Sequence, residues 1–266
     1  MNFVLATNRD DRLGGVFAQA YREAGGPAFS DIITFPDRNS MGMSHALLAA
    51  LKLARPMGTL RTSLARIGWP LPSDRKLGLA ERWPNLLVKS GTPTHNWENL
   101  KDKERLAEFK SLAPDVLVSV GAPIIFSDSV LAFPSIGAIN VHNGLPPRYR
   151  GHFGTFWEVY HEEPWAYVCV HEMVPKVDSG EMLGWEKIAM GECRSFFDLL
   201  IAKKRIGGRL LAQTLTDIKN TGMVPEASPI PGIDRNESGY FGFPSTRQMW
   251  HLNWKAVSEK HAPEAH

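Results

Sequence analysis

The hydrophobic pattern opens with a short apolar run, Asn2 to Ala6, that fits a buried strand. Apolar residues from Val16 to Ala24 then recur at helical spacing, and Gly25-Gly26 stops the segment. Phe29 to Phe35 predicts a second strand. A stretch of different character follows, and the rhythm resumes at Lys101 to Ala113, a helix with Leu106, Phe109 and Leu112 on one face. Pro114 ends it. Asp115 to Val120 is short and β-branched, as suits a strand covered on both faces. Ser127 to Phe133 predicts a short helix, Ile136 to His142 a strand, and residues 153–162 an aromatic-rich helix. Trp165 to Met173 and Met182 to Ile188 read as two more strands. Ser195 to Asn220 predicts a long helix ending at Gly222, and a short helix is expected near Thr246 to Ser258. Strands alternating with helices imply an α/β fold with a mostly parallel sheet and helices on both faces.

Charge changes this picture locally. The 266 residues carry 30 Lys+Arg and 28 Asp+Glu, a net charge of +2, which gives no global case for a nucleic-acid partner. Residues 36–95 hold nine Lys/Arg and three acids, +6, so the other 206 residues carry −4. Leu47, Leu48, Leu51 and Ala54 fall at helical spacing there, and Pro56, Gly58, Gly68, Pro70 and Pro72 break the segment into pieces. It reads as a basic helical insert: either a cover packed on the sheet with its basic face in water, or a surface for phosphates or an anionic membrane.

Cys169 and Cys193 belong to no CxxC and read as reduced thiols. The longest apolar stretch, Val116 to Phe126, is about half a membrane span. A cytoplasmic protein without a membrane span is expected. TNRDDRLGG after the first strand is not GxGxxG, so no dinucleotide fingerprint is present.

The candidate chemistry lies in GAINVHNGLPPRYRG, residues 137–151. Along a strand, Asn140 and His142 point to one face while Ile139 and Val141 point to the other. An amide and an imidazole therefore emerge together at a carboxyl strand end, where open α/β sheets bind ligands. The turn NGLPP holds the pair at a fixed angle. On the residues alone, a buried His satisfied by a backbone carbonyl is an equal account.

This segment resembles the signature of the folate-dependent formyltransferases: Asn-x-His at a strand end, a Leu-Pro or Pro-Pro turn, then Arg/Lys-x-Arg/Lys-Gly, standing here as Asn140-Val141-His142, Leu145-Pro146-Pro147 and Arg148-Tyr149-Arg150-Gly151. Upstream, LAPDVLVSVGAPIIF resembles the family's Pro-Asp strand and folate loop. Downstream, VHEMVPKVDSGEML resembles its Asp-x-Gly loop, which supplies Asp178, Ser179 and Gly180. The resemblance implies a Rossmann-like domain over 1–220, containing the insert 36–95, and a C-terminal extension over 221–266. It implies 10-formyltetrahydrofolate as formyl donor. It assigns Asn140 to the formyl oxygen, His142 to acid/base and oxyanion work, and Asp178 to tuning His142 and relaying protons. Gly121, Ala122, Pro123, Ile124 and Ile125 are expected to present backbone groups and apolar walls to the pterin, with Leu145, and with Val174 to Val177 as the opposite wall. Arg148 and Arg150 either bind phosphate or a folate glutamate, or stabilise the turn. Asn8 and Arg9 either touch the acceptor or form a solvated loop. No metal is expected, because Cys169 and His171 lack further ligands in the neighbouring sequence.

The acceptor is read by elimination within the family. Residues 191–266 carry ten Lys/Arg against eight acids, a weak field for tRNA. No regulatory domain precedes the first strand, which disfavours a formyl-folate hydrolase. TNRDDR is no glycine-rich phosphate loop, which disfavours glycinamide ribonucleotide. A small-molecule amine is left, with a nucleotide-linked amino sugar preferred and hydroxyornithine as the alternative. A non-catalytic folate- or membrane-binding relative is the reading from another class. Tyr240, Phe241, Phe243 and Trp250 either make a homodimer surface or fold back.

Overall fold

The computed structural model describes residues 1–9, 11, 13–36, 91–193, 195–233, 238–252 and 260–261. The basic insert lies outside the described residues from 37 to 90. Its last part differs from the helical expectation: Thr94–Asn96 is a short strand paired with Asp31–Phe35. The alternation of Thr94, His95 and Asn96 suits an edge strand, and proximity to a free sheet edge outweighs the composition of the preceding stretch.

In chain order the elements are β1 (Phe3–Asn8), α1 (Gly14–Glu23), β2 (Asp31–Phe35), β3 (Thr94–Asn96), α2 (Lys103–Ser111), β4 (Val116–Val120), α3 (Asp128–Leu131) and β5 (Gly137–His142). There follow β6 (Arg150–Gly151), α4 (Gly154–Tyr160), β7 (Trp165–Glu172), β8 (Met182–Ala189), α5 (Phe196–Thr221), β9 (Tyr240–Phe241) and α6 (Thr246–His251). The main sheet runs β3-β2-β1-β4-β5-β7-β8. β3, β2, β1, β4 and β5 are parallel, and β7 and β8 join by antiparallel pairing.

Strand alternation sorts the core into two. Phe3 and Leu5 of β1, Val116, Val118 and Val120 of β4, and Ile139 and Val141 of β5 pack on the side of α1, α4 and α5. Val4, Ala6, Leu117 and Ala138 face the other side, with Phe109 of α2 and Val130 of α3. Burial on both faces explains why these strands read as continuous apolar runs. α5 is capped at its start by Ser195, whose hydroxyl accepts from the Asp198 N–H, and at its end by Gly222 at φ 74°. α6 starts with a capping box between Ser245 and Gln248.

The topology creates a ligand crevice. From β1 the chain moves outward to β2 and β3, then returns to β4 on the opposite side of β1. Such a reversal opens a cleft beyond the carboxyl strand ends. Thr7 pairs with Val120 and Val120 with Val141, so the ends of β1, β4 and β5 are level. In the tail, Phe241 folds back onto Tyr149, Trp157 and His161, and Phe243 stacks on His152 with ring centroids 4.6 Å apart. Trp157 and Tyr160 join the core, as their helical spacing suggests. Among the described residues no helix is long and apolar enough to cross a membrane.

Candidate active site

β5 delivers Asn140 and His142 to the carboxyl edge, and its antiparallel partner β7 brings a third side chain. Asn140 pairs directly with His171, and His142 with Cys169. Directly opposed residues share a sheet face. The Asn140 amide Nδ2 lies 3.1 Å from Nε2 of His171. Nδ1 of His171 donates to the Glu172 carbonyl at 2.7 Å, so in the neutral ring Nε2 accepts from the amide. The Asn140 amide has a second N–H to offer a ligand.

His142 is oriented from behind. Its Nε2–H donates to the Tyr149 carbonyl at 2.8 Å, which leaves Nδ1 to face Asp178. Nδ1 lies 3.7 Å from Oδ2 of Asp178, and Nε2 of His171 lies 3.5 Å from its Oδ1. Asp178 sits in the loop between β7 and β8 at φ 48°, a left-handed conformation that Asp tolerates better than most residues. Oδ2 accepts from the Gly151 N–H at 2.8 Å, which ties the carboxylate to the turn after β5. Gly180 explains the Asp-x-Gly spacing: a Cβ there would meet the Glu172 carbonyl oxygen at 2.1 Å, so only glycine closes the loop onto β7.

The electrostatics give the groups separate states. Burial holds the His142 imidazole below its usual midpoint of 6.5, against the opposing pull of Asp178. Burial pushes the Asp178 carboxyl up, but the two imidazoles and the Gly151 N–H outweigh it and hold the group well below the usual carboxylate range. The resting site thus holds a neutral imidazole beside a carboxylate. A proton arriving on Nδ1 of His142 forms a charge pair that the site is already arranged to receive.

Of the residues expected from sequence, Asn140, His142 and Asp178 come together. Gly121 begins the loop after β4 at φ 61°, beside the end of β5. Ala122 and Ile124 pack half-buried against the second core, while Ile125 is 70% exposed. Val177 is half-buried, and its carbonyl accepts from Nη1 of Arg150 at 3.2 Å. Leu145 is not on a binding surface: its side chain is in the main core at 2% exposure, because the turn after β5 folds down against the sheet. Arg148 lies 3.7 Å from Glu163 and Arg150 holds the Val177 loop, so both guanidiniums brace the turn. Asn8 and Arg9 lie at the end of β1, two strands from β5. Arg9 approaches Thr34 at 3.5 Å and Glu98 at 3.9 Å.

His171 is the residue that sequence reasoning passed over as a site member. Its role depends on the β5/β7 register, which no local pattern encodes. The one available signal was its place seven residues before Asp178 on the same strand-loop unit. His142, His171 and Asp178 place three donor atoms within 4.8 Å of one another. The Asn140 amide already engages the His171 lone pair, which leaves two donors where a metal centre needs at least three protein ligands. The set fits proton traffic better than a metal.

Residues 68–195 match the family model described as Formyl transferase.

Over residues 68–195 the chain is similar to the formyl transferases.

A methionyl-tRNA formyltransferase of Caldanaerobacter subterraneus subsp. tengcongensis is 28% identical over 172 residues, which cover 64% of this chain and 54% of that protein. The chain thus spans about half the length of the curated relatives it matches. A phosphoribosylglycinamide formyltransferase structure from Bacillus halodurans superposes with a TM-score of 0.56 at 12% identity, covering 84% of this chain and 97% of that one. An N-formyltransferase of Helicobacter canadensis, solved with folinic acid and dTDP-3-aminofucose, gives a TM-score of 0.51 at 14% identity, covering 91% of this chain and 71% of that one. The structural likeness shows the shared fold of a mostly parallel sheet flanked by helices.

Proposed function

We propose that this chain moves the formyl group of 10-formyltetrahydrofolate to a small-molecule amine, with a nucleotide-linked amino sugar as acceptor. The observation that carries the reaction class is the meeting of Asn140, His142, His171 and Asp178 at the carboxyl end of β5. The Gly121–Ile125 loop and Val177 border this end and suit a flat, partly apolar donor. That donor supplies an activated formyl carbon.

The residues then divide the work. The free N–H of Asn140 stabilises negative charge developing on the formyl oxygen, an interaction of about 3–4 kcal/mol in comparable enzymes. Nδ1 of His142, neutral at rest, takes the proton that the attacking amine loses. The imidazolium formed lies 3.7 Å from the Asp178 carboxylate, which stabilises it until the proton passes to the departing folate nitrogen. A carbon–nitrogen bond forms to the acceptor, one breaks to the folate, and the enzyme returns to its starting protonation. No covalent enzyme intermediate is needed.

The acceptor reading is supported by the weak charge of residues 191–266 and by the dTDP-3-aminofucose with which the Helicobacter structure was solved. Methionyl-tRNA is a second reading, because the sequence relatives bear that name. The test is incubation of the full chain with 10-formyltetrahydrofolate and, separately, TDP- and UDP-linked amino sugars, hydroxyornithine and methionyl-tRNA. Mass spectrometry of each acceptor reads the product. A formylated amino sugar is expected. Formylation of methionyl-tRNA or hydroxyornithine alone overturns the acceptor, and an inert wild-type protein with every acceptor overturns the reaction.

A further inference from the structure

Beside the site lies a buried ion pair that the reaction as described leaves idle. Glu158 of α4 and Lys203 of α5 are 0% and 1% exposed, with Oε2 and Nζ 2.6 Å apart. Burying two charges costs several kcal/mol per ion, and well-packed apolar residues commonly serve stability as well or better. A pair retained at that cost is expected to do something an apolar pair cannot.

Its hydrogen bonds indicate what that is. Lys203 Nζ also donates to the Asn143 carbonyl at 3.3 Å, and Thr155 Oγ1 donates to the same oxygen at 3.2 Å. Asn143 directly follows His142. The second Glu158 oxygen accepts from the Tyr167 N–H of β7 at 3.0 Å. The pair therefore joins α4, α5, β7 and the turn after β5 at one point. The turn itself has no slack: a Cβ on Gly144 would stand 2.9 Å from Nε2 of His142 and 3.0 Å from the Tyr149 carbonyl oxygen. That carbonyl is the acceptor that fixes the His142 ring. A shift of the Asn143–Gly144 peptide is thus passed to the imidazole.

We propose that Glu158 and Lys203 are positioning residues, which hold the Asn143 carbonyl so that Nδ1 of His142 faces Asp178 and the reacting amine. The inference rests on the formyl-transfer reading of the site for its kinetic part alone. The charged and titratable groups around His142 are Asp178 from the β7–β8 loop, His171 and Cys169 from β7, Lys203 from α5, and Glu158 behind Lys203 on α4. Among these, Asp178 favours the protonated ring, and His171 and Lys203 oppose it. Burial pushes the Glu158 carboxyl up to about 7 and the Lys203 ammonium down, so the pair is held by mutual contact and not by solvent.

The test replaces the pair by apolar residues of similar size, Glu158→Leu with Lys203→Met, in the full chain. The measurements are the thermal melt, kcat and KM for formyl transfer, and the His142 imidazole titration by NMR. The melt is expected to stay cooperative, as apolar replacement of buried pairs usually allows. A displacement near 1 Å at a reacting group costs up to about 10²-fold in rate, so kcat is expected to fall about 10- to 100-fold with KM for the formyl donor little changed. The His142 midpoint is expected to rise with loss of the opposing lysine charge. Wild-type kcat together with a wild-type His142 titration overturns the proposal. If the apolar variant does not fold, Glu158→Gln with Lys203→Gln is measured in the same way and judged by the same outcomes. The titration needs no acceptor, so it tests the pair even where the formyl-transfer reading fails.

Discussion

The carboxyl edge of the sheet has two unlike halves. On the β5–β7 side, His142, His171 and Asp178 are largely buried, and each is held by at least one bond to the backbone. On the β1–β2 side, Arg9 is a third exposed and reaches Glu98, itself 62% exposed, across 3.9 Å. Surface pairs of that kind contribute about 0–1 kcal/mol. The first half has its groups preorganised by backbone and core, which suits chemistry. The second offers a charged, adjustable rim, which suits choosing an acceptor. The difference teaches that exposure, more than residue type, separates the groups proposed to react from those proposed to recognise the acceptor.

Substitutions break this contrast in graded steps. His142→Ala removes the base and is expected to lower kcat by about 10²- to 10⁴-fold in steady-state assays, with folding unchanged by circular dichroism. Asn140→Ala is expected to cost about 10²- to 10³-fold in kcat, with little change in KM for the formyl donor. Leu145→Ala tests the core beneath the site and not its chemistry: a loss of about 2–5 kcal/mol is expected in urea unfolding. Arg9→Ala sharpens the comparison from the other side. Stability is expected to change by less than about 0.5 kcal/mol and kcat to stay near wild type, with any effect confined to KM for the acceptor.

The pH dependence probes the buried half alone. The folded His142 midpoint lies below 6.5, so the base stays neutral and active through mildly acidic pH. The acidic limb of kcat is expected below 6.5. Asp178 favours the imidazolium, so Asp178→Asn is expected to move that limb to still lower pH while lowering kcat. The linked stability contribution has the same sign: it is fully present above the unfolded midpoint and is lost as pH falls through the folded one. A limb at or above 6.5 in the wild type contradicts a buried, neutral His142.

The sequence carried much of this because local pattern and tertiary role coincide over most of the chain. The short apolar runs of β1 and β4 suit strands covered on both faces, and Ser195 and Gly222 mark α5 in advance of any packing. Asn140, His142 and Asp178 were legible through their motifs. His171 was not, because opposing it to Asn140 takes an antiparallel register between β5 and β7 that no local pattern encodes. The Glu158–Lys203 pair was hidden for a related reason. Its members stand 45 residues apart on two helices, and only the packing of both helices on β7 brings them together. Leu145 was misplaced because a turn residue beside a motif reads as a surface residue, whereas this turn is folded into the core.

The antiparallel ladder between β5 and β7 also sets how the protein can be recombined with its relatives. Asn140 and His142 on β5 need β7 in one register, β7 needs the Asp178 loop, and that loop is pinned to Gly151. A crossover between residues 140 and 178 severs at least one of these ties, and a one-residue slip turns His171 to the wrong face. Among the described residues, the loop after β1 shows no such tie to β5, so if it recognises the acceptor as proposed, exchanging it is expected to change acceptor preference while leaving the 140–178 block intact.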